Sequence, residues 1–500
     1  FYEGDDTWRA RVYVSEPGRW TWSSRSAGDR GLDGKSGAFT AGDSKLRGRL
    51  LLHPLNPHHW VTESGQWFLN LNDTAYFLLC PHSAFGQPVP EEDVKDYVRD
   101  AVARGITSLR SFTLVGPGGH MEDGPAFARR WRDSVFDDDA MTRLRLPHFQ
   151  VADERLRWLL NEHPDLYMQF ILFPRGSRWS KDDQMWRAFS PEQKERVMRT
   201  MIARYAAYPQ LFWLVTNDAH YGPDFPNNNA FAREVGEYFL RHDPWRHPMA
   251  AGHARRVPYY FGAEAWSTYL HLEENFDTGA VQCRQHYHYG KPVFLGEDRY
   301  EQDHADRDPK DMRYFQRRLF WSWLLSGGSA NYGGRWWVLV PYGETGSRPS
   351  IRGAASGEGG KAPPAVHASA LTGLDSVRAI RDYFADRRIE LSDFQPAPER
   401  VKNAAGTPES RMARVMRRES AELLIYDANA TSDDRTMTAN SARHVAITVD
   451  LTAMPGDFAV EWFRAADGVA LAASDVAGGA LRTLTSPWQG QDCVLRLRRK

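Results

Sequence analysis

Apolar residues between positions 60 and 385 form short runs that alternate with longer segments, in which they recur every three or four positions. The short runs predict buried strands, and the longer segments predict amphipathic helices. The segment "PEEDVKDYVRDAVARG" is typical of a helix, because its first turn is acidic and a glycine ends it. The strand candidates between such helices are "WFLNLND", "ITSLRSFTL", "LYMQFILF", "LFWLVTND", "HPMAAGHA", "AWSTYL", "PVFLGE" and "GGSANYG".

Eight strands interleaved with helices suit a (β/α)8 TIM barrel better than an open doubly wound sheet. The first strand is not followed by G-x-G-x-x-G, which disfavours a dinucleotide site. Both flanks alternate apolar and polar residues between turns rich in glycine and proline, as antiparallel strands do. We therefore predict an α/β protein with a β-sandwich at 1–55, the barrel at 56–388 and a second β-sandwich at 389–500.

The charge of the chain is balanced, with 63 Lys and Arg residues against 64 Asp and Glu residues. Because no long run of one sign occurs, nothing favours nucleic acid or an anionic membrane as a partner. No apolar stretch approaches the roughly 20 residues that a membrane-spanning helix needs. Aromatic residues make up 13% of the chain, and flat rings of this kind suit both buried cores and sugar sites.

Cysteine and histidine give no sign of a metal site or a disulfide framework. The three cysteines, Cys80, Cys283 and Cys493, are odd in number and widely spaced. His286 and His288 stand together without a third ligand nearby, which favours the end of a surface helix. The chain begins at Phe1 without Met, and because a signal peptide could have been removed, its absence says little about export. We expect a secreted or periplasmic protein, and a cytoplasmic location stays open.

Carboxylates follow three of the predicted strands at the end where TIM barrels place their active sites. Asp73 ends the first strand, Asp218 the fourth and Glu297 the seventh. Two carboxylates across one mouth are what glycosidic bond cleavage requires, one to protonate the leaving oxygen and one to attack the sugar or activate water. We therefore expect a carbohydrate substrate at this end of the barrel.

Other residues are expected to contact the sugar at the same mouth; they are Arg110 in the second strand, His253 after the fifth, Tyr269 and His271 at the end of the sixth, and Trp336 after the eighth. Hydrogen bonds from Arg110 or Tyr269 are expected to keep Glu297 ionised. Apolar neighbours such as Phe212 or Trp213 are expected to keep a proton on Asp218. A structural role remains open for His253, and for Asp73 two roles remain open, binding a sugar hydroxyl or capping the following turn.

Several segments resemble the apiosidase-like glycoside hydrolases over nearly the whole chain. They are "FYEGDDTWRARVYVSEPGRWTW", "WFLNLNDTAYFLL", "LSGGSANYGGRWW" and "EWFRAADGVAL", the last in a C-terminal domain that the family shares. Asn72 stands where that family usually has a glycine. The resemblance implies that Asp218 is the acid/base, that Glu297 is the nucleophile of a retaining mechanism, and that Asn217 binds the 2-hydroxyl of the sugar. It implies no metal and no cofactor.

Other interpretations of the same residues stay open. Asp298 and Glu301 are rival nucleophiles, although alternation along a strand turns Asp298 away from the barrel axis. The chain is also compatible with a non-catalytic carbohydrate-binding protein on a degenerate barrel, or with a transglycosylase that uses the same two acids. Long loops after the third and fourth strands favour a pocket, and hence exo-action on a terminal sugar of a plant or microbial polysaccharide. A Gly-rich segment at 342–365 is expected to reach over the mouth.

Overall fold

The computed structural model describes most of the chain. The described residues are 1–82, 88–113, 136–138, 142–173, 184–187, 189–254, 258–301, 307–334 and 371–500. Trp336 and the segment 342–365, both predicted to lie at the barrel mouth, fall outside these residues.

The first part of the chain is built from antiparallel hairpins. Three separate two-stranded sheets pair β1 (Tyr2–Gly4) with β2 (Thr7–Trp8), β3 (Gly18–Ser23) with β4 (Ser36–Ala41), and β5 (Leu50–Leu52) with β6 (Trp60–Thr62). Every residue of β3 is exposed. The antiparallel character predicted for residues 1–55 is present, but it takes the form of separate hairpins, and among the described residues β3 pairs only with β4.

The middle of the chain forms a closed parallel barrel. Its strands are β7 (Leu71–Thr74), β8 (Ser108–Phe112), β9 (Tyr167–Phe173), β10 (Leu211–Thr216), β11 (Met249–Ala250), β12 (Gly252–His253), β13 (Leu270–Glu273), β14 (Val293–Glu297) and β15 (Ser329–Tyr332). β11 pairs with β10 and β12 pairs with β13, and only Ala251 separates them. Since β15 pairs with β7, the sheet closes with eight strand positions, which confirms the predicted TIM barrel.

Helices surround this barrel in the predicted alternation. They are α1 (Glu91–Ala103), α2 (Leu146–Glu162), α3 (Gln184–Arg187), α4 (Pro191–Tyr205), α5 (Pro226–His242), α6 (Val281–His286), α7 (Met312–Leu324) and α8 (Val377–Arg387). α4 begins with a capping box, in which Ser190 and Gln193 each bond the other's backbone N–H. Short 3-10 turns occupy Tyr287–Tyr289, Leu391–Asp393, Pro398–Arg400 and Glu409–Arg411.

The sixth barrel strand lies later in the chain than predicted. The apolar run "AWSTYL" at 265–270 indicated a strand there, but β13 begins at Leu270 and ends at Glu273. Buried strands were predicted from apolar runs. Because His271 and Glu273 are polar, the segment that forms this strand is not an apolar run and was not predicted as one. As a result, the residue at the end of the sixth strand is Glu273 rather than Tyr269 or His271.

The hairpin of β5 and β6 closes the bottom of the barrel. The ring of Trp60 packs against Phe212 and Tyr269, with ring centroids 5.8 and 5.5 Å apart. Tyr269 donates its hydroxyl hydrogen to the backbone oxygen of Trp213 at 2.8 Å. The N-terminal end of the barrel is therefore a packed core, and the opposite end carries the polar groups.

The C-terminal part forms two antiparallel sheets, as predicted. Its strands are β16 (Gln395–Pro396), β17 (Arg414–Arg418), β18 (Glu422–Asp427), β19 (His444–Asp450), β20 (Asp457–Arg464), β21 (Ala470–Ala477), β22 (Leu481–Gln489) and β23 (Cys493–Arg499). One sheet has the order β16-β17-β18-β23-β20-β21, and β19 pairs with β22 in the other. Both sheets contribute to one core, with Ile425, Trp462 and Leu495 from the first and Ile447 from the second.

Helix α7 joins this C-terminal sandwich to the barrel, and nearly all its side chains are buried. Arg317 donates three hydrogen bonds to the buried carboxylate of Asp492, at 2.8 to 3.1 Å. Trp321 stacks on Tyr426 of β18. The three cysteines are buried free thiols. Within the described part of the chain, no helix has the length and apolar character needed to cross a membrane.

Candidate active site

Three carboxyl groups meet at the C-terminal mouth of the barrel. Oxygen atoms of Asp218, Glu273 and Glu297 all lie within 4.8 Å of one another. The exposed fractions are 9% for Asp218, 6% for Glu297 and 1% for Glu273, so the first two reach solvent and the third lies beneath them. The predicted pair therefore shares one site, and a third acid accompanies it.

A β-bulge turns Glu297 toward the barrel axis. Leu272 pairs with Leu295, but the next pair is Glu273 with Glu297, which leaves Gly296 as the extra residue. A bulge of this kind re-aims the following side chain, so Glu297 faces the same side as Glu273. A Cβ atom at Gly296 would lie 1.7 Å from the ring of His271, so only glycine fits here.

Asp218 follows β10 in an unusual backbone conformation. Its φ is +57°, in the left-handed region that non-glycine residues rarely adopt. The Asp218 N–H donates a hydrogen bond to Oε1 of Glu273 at 3.1 Å. Backbone strain of this kind is concentrated at functional sites, where surrounding contacts maintain it.

Glu297 is held by donors from two other strands. Tyr76, just after β7, donates its hydroxyl hydrogen to Oε2 of Glu297 at 2.9 Å. Arg110 of β8 donates to the same oxygen through Nη2 at 3.3 Å. Both donors hold the carboxylate of Glu297 in one orientation at the mouth. Of the two residues expected to bond Glu297, Arg110 does so and Tyr269 instead bonds Trp213.

Arg110 lies at the centre of the hydrogen bonds below the site. Its guanidinium, which is fully buried, also donates to the backbone oxygen of Gly296 and to the Tyr300 hydroxyl. Burial opposes the charge, but the neighbouring Tyr76, Tyr300 and the two glutamates together raise the pKa of Arg110 well above its usual value. Burial likewise raises the pKa of Tyr76 and of Tyr300, so both phenols keep their protons and act as donors.

Glu273 is the most buried of the three acids. Burial, followed by the neighbouring Glu297 and Asp218, raises the pKa of Glu273 well above its usual value. Burial and then Arg110 lower the pKa of His271, which therefore stays neutral beneath Glu273, with its Nε2 3.7 Å from Oε1. This raised pKa favours the protonated form of Glu273 beside Glu297.

The side-chain amide of Asn217 lies next to Asp218 in the chain. Its side chain is fully buried, and neither amide atom has a hydrogen-bond partner among the residues that the structure describes. Buried amides without partners are rare, and a ligand is one of the explanations for them.

The remaining predicted residues that the structure describes lie away from Asp218 and Glu297 or, in the case of His271, beneath Glu273. Asp73 is fully buried and accepts a hydrogen bond from Tyr97 of α1 at 2.9 Å, on the outside of the barrel. Tyr269 lies at the barrel bottom. His271 lies one layer below Glu273. His253 contacts Tyr221 and Tyr259, and burial lowers the pKa of His253 to about 4. Phe212 and Trp213 pack on aromatic side chains elsewhere.

Three residues of the site were not expected from the sequence: Glu273, Tyr76 and Tyr300. Glu273 was hidden by the misplaced sixth strand. Tyr76 lies two residues past the end of β7, and Tyr300 lies three residues past the end of β14. The prediction of site residues from strand ends therefore did not include them. Polar residues within three positions after each strand end indicate site residues better than the strand-end residues alone.

The two alternative nucleophiles, Asp298 and Glu301, accept hydrogen bonds mainly from backbone N–H groups. Asp298 accepts hydrogen bonds from the N–H groups of Phe276, Asp277 and Arg299 at 2.7 to 3.0 Å. Glu301 accepts bonds from Tyr332, Thr372 and Gly373. Neither belongs to the group of carboxyls at the mouth.

The spacing of the three acids alone would also suit a divalent cation. The guanidinium of Arg110 contacts Glu297 and lies 4.0 Å from Glu273, so a positive charge already faces these oxygens. A cation placed among them would meet repulsion from Arg110. The donor set therefore fits acid catalysis better than metal binding.

Residues 56–339, more than half of the chain, match the family model described as "Apiosidase-like, catalytic domain". The chain belongs to this apiosidase-like family. Its catalytic domain and its fold identify the protein as a glycoside hydrolase, and its substrate is a carbohydrate. None of the curated protein sequences matches it.

Solved glycoside hydrolases share the fold of this apiosidase-like chain. A putative glycoside hydrolase from Bacteroides vulgatus ATCC 8482 has 17% sequence identity and a TM-score of 0.66, over 100% of this chain and 92% of that one. A glycoside hydrolase family 5 protein from the same strain has 13% identity and a TM-score of 0.64, over 91% and 94% of the two chains. At such identities the likeness shows a common architecture.

Proposed function

We propose that this apiosidase-like protein is a retaining glycoside hydrolase that removes a terminal sugar by double displacement, with Asp218 as acid/base and Glu297 as nucleophile. The observation that carries the proposal is the meeting of the two carboxyls, from the ends of β10 and β14, at the mouth of one barrel. Glu297 accepts hydrogen bonds from two donors, and Asp218, whose φ is +57°, faces it.

Glu297 and Asp218 have different roles in the two steps of the reaction. Glu297 attacks the anomeric carbon while Asp218 passes its proton to the leaving oxygen, which gives a glycosyl ester on Glu297. Asp218 then takes a proton from water, and this water releases the sugar and restores the free Glu297. The side-chain amide of Asn217 has no hydrogen-bond partner among the described residues, so it is suited to bind the 2-hydroxyl of the sugar.

The product should keep the anomeric configuration of the substrate. Oxygens of Asp218 and Glu297 lie within 4.8 Å, which is closer to the about 5–5.5 Å of retaining enzymes than to the about 6.5–9.5 Å of inverting ones. We expect NMR during hydrolysis of an aryl glycoside to detect the retained anomer first. A first product of opposite configuration would contradict this mechanism. The same spectra, taken with added sugar acceptor, distinguish hydrolysis from transglycosylation.

Replacing Asp218 with alanine should slow the reaction according to the leaving group. For a substrate with a poor leaving group we expect kcat/KM to fall by about 10²–10⁴-fold, because no acid protonates the departing oxygen. A dinitrophenyl glycoside, whose leaving group needs no proton, should show a much smaller loss in kcat/KM.

The matched control is Asp224→Ala, since Asp224 is an exposed carboxylate six residues further along the same loop. Its kinetics should equal those of the wild type with both substrates. Equal losses with both leaving groups in the Asp218 variant would mean that Asp218 is not the acid.

Exo-action and export are part of this proposal. The loop between β10 and α5, residues 217–225, is long, and long loops favour a closed pocket over an open cleft; most of the segment after β9 lies outside the described residues. A panel of aryl glycosides that includes apiosides and arabinofuranosides, followed by digestion of oligosaccharides, tests the sugar and the release of monosaccharide. A wall polysaccharide as substrate would place the enzyme outside the cytoplasm.

A further inference from the structure

The third carboxyl, Glu273, has no role in the two-acid mechanism. Its side chain has no exposed surface, so it does not touch a sugar bound at the mouth. Oε1 accepts the N–H of Asp218 at 3.1 Å, while Oε2 has no hydrogen-bond partner in the described part of the chain. A buried acid with so few partners is costly to keep, which suggests that it serves the site above it.

The contact with Asp218 falls at the backbone position that most needs support. Asp218 has a φ of +57°, which is unfavourable for a residue with a side chain. The neighbouring backbone is closely packed, because a Cβ atom at Gly252 would lie 2.2 Å from the Thr216 oxygen and 3.0 Å from Oε1 of Glu273. The carboxyl of Glu273 is thus wedged between β12 and the turn that carries Asp218.

We propose that Glu273 is a positioning residue for Asp218: by accepting the Asp218 N–H it holds this turn in the left-handed conformation that directs the acid toward Glu297. The inference rests on the proposed function, in which Asp218 is the acid/base. Glu273 acts through Asp218 and does not touch the substrate.

The other groups that face Glu273 are too distant for direct hydrogen bonds. His271 Nε2 lies 3.7 Å and Arg110 Nη2 4.0 Å from Oε1, and Glu297 and Asp218 are the neighbouring acids. Burial and these acids raise the pKa of Glu273, which favours its neutral form. A neutral isostere that keeps the acceptor oxygen should therefore replace it.

The test compares Glu273→Gln with Glu273→Met, which have similar volume and differ in the acceptor. The Gln variant should retain kcat/KM within about fivefold of the wild type, the effect of one altered hydrogen bond. The Met variant should lose about 100-fold with a poor leaving group, as a misplaced catalytic group does. With a dinitrophenyl glycoside its loss should be about tenfold smaller, because that substrate does not need the acid.

Three kinetic outcomes would overturn the proposal. Equal losses of the Met variant with both leaving groups would place the effect on Glu297 or on folding. A Gln variant as slow as the Met variant would show that an acidic group, not an acceptor, is required. Full activity of the Met variant would show that Asp218 holds its position unaided.

Two measurements without substrate separate this inference from the proposed function. In a crystal structure of the Met variant, Asp218 should leave the left-handed region; an unchanged φ would contradict the positioning role even if hydrolysis were lost. The Gln variant should also unfold at a higher temperature than the wild type at pH 7, with a smaller difference at pH 5. A wild type that cleaves no glycoside would instead refute the proposed function and leave the structural result standing.

Discussion

Replacing Glu297 with alanine is expected to reduce kcat by about 10⁴-fold or more, because no other group can form the glycosyl ester. The carboxylate faces Asp218 within 4.8 Å, and its hydrogen bonds from Tyr76 and Arg110 hold it in place. Rate assays with an aryl glycoside measure the loss. Azide added to the variant should enter the space left by the carboxylate and give a glycosyl azide of inverted configuration, which identifies Glu297 as the nucleophile.

The control for this prediction is Asp298→Asn. Asp298 is the next residue and is also buried, but its oxygens accept three backbone N–H bonds away from the mouth. We expect this variant to lose stability and to keep kcat within about tenfold, since it removes backbone contacts and no reacting group. If Asp298→Asn abolished hydrolysis in a folded protein while Glu297→Ala did not, the assignment of the nucleophile would be wrong.

The fold was predictable where periodic patterns were strong. α1, α5 and the buried strands β9 and β10 lie where the sequence predicted them, because their apolar residues follow one period without interruption. β13 was misplaced because two polar side chains interrupt its buried face. The hairpins before residue 62 could not be distinguished from a sandwich, since alternation shows that strands pair but not which sheets face each other.

The site was predictable as far as strand ends determine it. Asp218 and Glu297 were found because each ends an apolar run, and a barrel brings such ends together. The bulge at Gly296 and the left-handed turn at Asp218 leave no pattern in the sequence, although both decide where the carboxyls point. Glu273 was missed because its strand was misplaced, and Tyr76 was missed because it lies two residues past the end of β7.

Arg110→Met should impair both the chemistry and the stability of the protein. The guanidinium is fully buried and contacts Glu297, Tyr76, Tyr300 and the Gly296 backbone, so the variant leaves a buried acid without its counter-charge. Removing one member of a buried ion pair costs about 3–5 kcal/mol of unfolding free energy. Chemical denaturation measures this loss.

The chemical effect of Arg110→Met should appear in kcat/KM. Because the guanidinium donates to Oε2 of Glu297, its loss should lower kcat/KM for an aryl glycoside by about tenfold or more, as the loss of a hydrogen bond to a carboxylate does. Arg317→Met is the matched control, since Arg317 also pairs with a buried carboxylate, Asp492, at the barrel–sandwich junction. That variant should lose similar stability and keep the wild-type kcat/KM. If both variants lowered kcat/KM as folded proteins, or neither did, the contact with Arg110 would not be what keeps Glu297 reactive.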